Sequence, residues 1–122
     1  MADQGSDETA RAGGPIDPSA LTSIFGDDPD TIREILADFV APAWQTVSEI
    51  EAAFEQRNAK QIGALGHKLK SSSRAVGANA LSDLCQALET AGEAEDWPAI
   101  EVAAPRLREH MQDVADYIAA QA

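Results

Sequence analysis

His67 is the residue whose type and surroundings in this chain are best suited to chemistry, and it stands within the stretch NAKQIGALGHKLKSSSRAVG, Asn58 to Gly77. At about 100° per residue, Ile62, Leu65, Leu69 and Val76 fall on one side of a helix and form a core stripe. The same wheel sends His67 nearly opposite, flanked by Lys60, Gly63, Ala64, Lys70, Ser71 and Arg74. An outward imidazole among small and basic residues can meet another protein's reactive group. A neutral ring nitrogen is a nucleophile toward phosphorus. Lys70, one turn on, disfavours protonation of the ring and offers an ammonium to an incoming anion, to which the Ser71 hydroxyl can add a donor. On spacing alone, a solvated surface histidine with no task also fits these residues.

Gly63 and Gly66 sharpen the choice, because a glycine inside a helix costs about 0.5–1 kcal/mol relative to alanine and two fall within one turn. Close approach to that face would compensate, although poor helix formers tolerated on a surface also fit. Lys60, Gly63, Ala64, Gly66, Ser71 and Arg74 are therefore the expected docking surface. Charge points to the same place. The chain of 122 residues carries a formal net charge of −12, yet five of its nine Lys and Arg residues, Arg57, Lys60, Lys68, Lys70 and Arg74, cluster around His67 in what reads as one helix.

These residues need a scaffold, and the remaining sequence supplies one. Residues 1–15 are acidic and lack apolar periodicity, so a disordered tail is expected. Asp17-Pro18 and Gly26 bracket a short helix, and Asp28-Pro29 starts a long one whose stripe runs from Ile32 through Phe39, Val47 and Ile50 to Phe54. Pro42 either kinks that helix or divides it in two. Asn58 caps the His67 helix, Gly77 stops it, and Asn79 caps the next, which carries Leu81, Leu84, Cys85 and Leu88 and ends near Ala91-Gly92. Asp96-Trp97-Pro98 opens a last helix, bent locally at Pro105. Four amphipathic helices on short turns predict an all-α, antiparallel up-down-up-down four-helix bundle over residues 16–122, with a short extra N-terminal helix.

His67-Lys68-Leu69-Lys70-Ser71-Ser72-Ser73, followed by Val76-Gly77-Ala78, Leu81, Leu84-Cys85 and Leu88-Glu89, resembles the histidine phosphotransfer (HPt) domain. Ser71 departs from the pattern, since the family usually has glycine four residues after its histidine. The resemblance implies that His67 accepts a phosphoryl group from the aspartate of a receiver domain and passes it to another receiver. The partners implied are receiver domains of response regulators or hybrid histidine kinases, and any Mg²⁺ would be theirs. A non-catalytic helical adaptor that binds receivers without transfer is the alternative, with Ser71 as its only sign.

Other classes fit poorly. A pI near 4.3 opposes a nucleic-acid or anionic-membrane surface, and no apolar run is long enough for a membrane span. With no signal-peptide pattern, a cytoplasmic monomer is expected. No nucleotide-binding loop is present, so autophosphorylation from ATP is not expected. Cys85 reads as a core filler, Ser72 and Ser73 as interior packing, and His110 as structural. Cys85, His67 and His110 come from different faces, and no metal or other cofactor is expected.

Overall fold

The computed structural model describes residues 14–121. The tail expected over residues 1–15 lies outside these, apart from Gly14 and Pro15. Helix α1, Pro18–Phe25, starts where the Asp17 carboxylate accepts from the Ser19 amide at 3.0 Å, and stops at Gly26 with φ 82°. The Asp17 amide in turn donates to the Gly77 carbonyl at 2.8 Å, tying α1 to a distant turn of the bundle.

Helix α2 runs unbroken over Pro29–Glu55, so Pro42 does not divide it. Both Pro42 and Asp38, whose carbonyl loses its amide partner, lie on the solvent side, where water can take that hydrogen bond. Helix α3, Ala59–Ala75, begins where Asn58 Oδ1 accepts from the Gln61 amide at 3.2 Å. Arg57 therefore falls outside the His67 helix, contrary to expectation. It sits in the preceding turn with φ 56°, its guanidinium 3.8 Å over the Trp97 ring and 3.0 Å from Glu101. Gly77, at φ 78°, ends the segment as expected.

Helix α4, Asn79–Ala94, corrects one expectation. Asn79 is its first residue rather than its cap; Ala78 takes the cap position without a side-chain bond. The helix runs to Ala94, a little beyond the end expected near Ala91-Gly92, and stops at a left-handed Glu95 with φ 55°. Gly92 is needed for packing, since a Cβ there would lie 2.5 Å from Gly63 N and 2.6 Å from the Ala59 carbonyl. Helix α5, Trp97–Ala103, is capped by Asp96 and passes through a 3-10 turn, Ala104–Arg106, into α6, Leu107–Ala120. The local bend expected at Pro105 is this turn.

Short turns make α2, α3 and α4 antiparallel neighbours, α5 packs on α4, and α6, carried on from α5 by the 3-10 turn, packs against α2 and α4 to close the bundle. Val47, Ile50, Ile62, Leu69, Leu81, Leu88, Ile100, Leu107 and Met111 form its fully buried centre. Each contributes about 1.5–3 kcal/mol by leaving water. The described residues form an all-α bundle without strands, as the spacing predicts. No helix among them is long and apolar enough to cross a membrane.

Candidate functional site

The apolar stripe of α3 turns Ile62, Leu65 and Leu69 into the core and leaves His67 outside. The imidazole side chain is 62% exposed, whereas the two charged groups behind it, Glu89 and Lys70, are each 14% exposed. Only the ring reaches solvent freely. Its Nδ1 lies 3.0 Å from Glu89 Oε2, and Lys70 Nζ lies 2.6 Å from the other oxygen, Oε1. Lys70 also donates to Gln86 Oε1 at 3.0 Å. One carboxylate on α4 thus serves two residues of α3.

Lys70, in ion-pair contact with Oε1, is the chief cause that holds the Glu89 carboxyl below its ordinary value, with His67 adding to the effect against the opposing cost of desolvation. An ionised carboxylate can only accept hydrogen bonds. Nδ1 is therefore the protonated nitrogen of the neutral ring, and the lone pair belongs to Nε2 on the exposed side. That arrangement differs from the one expected from spacing. Lys70 sits behind Glu89 rather than directly against the ring, so ring chemistry is set by tautomer rather than by a bare neighbouring cation.

Of the expected docking residues, Lys60, Ala64, Ser71 and Arg74 are exposed on the His67 side. The Ser71 hydroxyl donates back to the His67 carbonyl at 3.3 Å. Gly63 and Gly66 correct the expectation, because both are buried beneath α4. A Cβ on Gly66 would stand 3.0 Å from the Cys85 carbonyl, and one on Gly63 would stand 3.3 Å from Glu93 N. The close approach they permit is between two helices of the bundle. Ser73 is buried, but Ser72 is exposed and turns its hydroxyl to the Leu69 carbonyl at 3.2 Å. This too reverses an expectation, since Ser72 falls on the edge of the stripe facing α2.

Charge pairing is uneven. Arg33, Arg57, Arg108 and Lys70 each meet a carboxylate. Lys60, Lys68 and Arg74, all on α3, form no ion pair with any described residue. Cys85 is buried at 0% exposure, its thiol pushed up to about 12 by burial despite Lys70 nearby. No group of three His, Cys, Asp or Glu residues among those described comes together to hold a metal.

In the sequence Glu89 stands only within the pattern that carries the resemblance, with no task of its own, and nothing there singles out Gln86. The signal was the antiparallel register: a short turn at Gly77 brings the α4 residues after Cys85 alongside Gly66 and His67.

Comparison with curated proteins and with solved structures gave no match. The family model of the Hpt domain matches residues 34–117, a span that takes in all of α3 and α4 and most of α2 and α6. The chain belongs to the Hpt domain family, whose members are phosphotransfer modules of phosphorelays, not kinases, and interact with receiver domains.

Proposed function

We propose that His67 is the phosphoacceptor of a relay between two receiver domains, in a cytoplasmic two-component pathway. The observation that carries this reading is the exposed ring whose Nδ1 is held by Glu89, 3.0 Å away. The Nε2 lone pair attacks the phosphorus of a receiver's aspartyl phosphate. As the N–P bond forms, the P–O bond to the aspartate breaks, and its electron pair leaves with the carboxylate. The Nδ1 proton stays in place, so the phosphorylated ring is cationic and the Glu89 carboxylate stabilises the charge as it develops. Attack by a second receiver's aspartate reverses these changes and restores the neutral ring.

Lys70 keeps Glu89 ionised and lends positive charge to phosphoryl oxygens arriving one turn away. In-line alignment and the metal ion that receivers carry come from the partner. Lys60, Lys68 and Arg74, without carboxylate partners among the described residues, suit an acidic docking surface, with Ala64 and Ser71 leaving room beside the ring.

The test is incubation with a phosphorylated receiver, followed by addition of a second, unphosphorylated receiver. Wild type should acquire an acid-labile, alkali-stable label and then lose it to the second receiver. His67→Gln should stay unlabelled while folded. Label on that variant, or receiver binding without transfer by the wild type, rejects the relay; the latter outcome leaves an adaptor.

A further inference from the structure

Lys70 meets two oxygens on α4, forming an ion pair with Glu89 Oε1 at 2.6 Å and a hydrogen bond to Gln86 Oε1 at 3.0 Å. Gln86 is itself oriented, because its Nε2 donates to Thr90 Oγ1 at 3.0 Å, one turn further along the helix. That bond turns the amide oxygen, rather than the nitrogen, toward the ammonium. Glu89 has competing obligations: one oxygen meets Lys70 and the other meets the His67 ring. An ammonium with no second acceptor would draw the carboxylate toward itself and away from Nδ1. A neutral amide beside it shares the ammonium without adding charge.

Resting on the phosphoacceptor reading of His67, we infer that Gln86 is a positioning residue for the transfer. It anchors Lys70 so that Glu89 can hold the ammonium and the imidazole at once. Gln86 makes no hydrogen bond to the ring; it acts through Lys70 and Glu89, and Thr90 acts through Gln86. The chain Thr90, Gln86, Lys70, Glu89, His67 runs from α4 across to α3, back to α4 and out to Nδ1 of the ring, the nitrogen opposite the reactive Nε2.

The deciding measurement is the tautomer of His67 in ¹⁵N-labelled full-length protein, read from the long-range ¹H–¹⁵N correlations of its ring. Wild type should hold the Nδ1–H form. Gln86→Leu should shift the population toward Nε2–H. It should also slow acceptance from a phosphorylated receiver by about five-fold, the equivalent of one hydrogen bond, with unchanged receiver affinity. Thr90→Val should move both readouts in the same direction by less, and Thr90→Ser should restore them. Gln86 and Thr90 are exposed, so these variants should keep the wild-type circular dichroism. Should Gln86→Leu fail to fold, the two Thr90 variants decide the matter.

Wild-type ring nitrogen shifts in folded Gln86→Leu, or in Thr90→Val if that variant must stand in, would overturn the positioning role whatever the transfer rate. A wild-type protein that accepts no phosphoryl group would remove the phosphoacceptor reading alone. The tautomer is measured without any transfer, so the two failures are distinct.

Discussion

Gly66 lies directly against the backbone of Glu89: a Cβ at position 66 would stand 3.1 Å from the Glu89 amide nitrogen. The residue before the histidine therefore sets how far apart α3 and α4 run at the point where the carboxylate must reach the ring. Packing and chemistry share one contact.

A graded alanine series should expose that dependence. Gly92→Ala places a Cβ 2.5 Å from Gly63 N and 2.6 Å from the Ala59 carbonyl, both rigid backbone atoms. Overpacking of about 1–3 kcal/mol, less about 1 kcal/mol gained in helix propensity, predicts a net loss of ~0–2 kcal/mol. Gly66→Ala should cost less and Gly63→Ala, at 3.3 Å, should be nearly neutral. Urea unfolding ranks the three, and Gly66→Ala should slow transfer more than its stability change explains. Equal losses at all three sites would contradict the packing.

Glu89 should give the bundle an acid-sensitive component. Its folded pKa lies below the ordinary 4.5, so its stabilisation is full above that value. The contribution is lost as pH falls from there through the folded pKa. Wild type should therefore lose its advantage over Glu89→Gln on acidification through that window. Thermal melts of both proteins from pH 7 to pH 3 check this, and parallel curves would count against the ion pair. At pH 7, Glu89→Gln should slow transfer by about 10–100-fold, as loss of a supporting partner does at other imidazole sites.

Cys85 should be chemically silent in the folded protein. With its thiol at 0% exposure and pushed up to about 12, almost no thiolate exists near neutrality to attack a disulfide or alkylating reagent. Ellman's reagent at pH 8 should react only after denaturant is added. Rapid reaction of the native protein would mean that α4 opens locally.

Ser73 and Ser82 should be replaceable by alanine at a profit in stability. Both hydroxyls are buried, and neither has a hydrogen-bond partner among the described residues. Leaving a buried hydroxyl unsatisfied costs about 1–3 kcal/mol, and alanine is the better helix former. Ser73→Ala and Ser82→Ala should each leave Tm unchanged or raise it. A fall of several degrees in either would reveal a hydroxyl that is bonded.

Much of the molecule was legible in the sequence because its start and stop signals are local. Asp17, Asp28, Asn58 and Asp96 each cap the helix they precede, and the stripe of α3 placed His67 outside. What escaped was relational. The period of α3 puts Gly63 and Gly66 near the histidine but says nothing of α4 lying on top of them. The task of Gly92 is visible only against Ala59 and Gly63. Glu89 carries no signal of its own until the antiparallel register sets it beside His67. Lys70 was placed on the right side of the helix, and the carboxylate it serves could come only from the neighbouring one.

The ring of His67 exposes a single free nitrogen halfway along its helix, and that has a kinetic meaning. One atom can bear one phosphoryl group, and one face can seat one visitor, so a relay through His67 would have donor and acceptor alternate rather than meet. Steady-state exchange would then follow a double-displacement law, with either partner in excess competing against the other for the same seat.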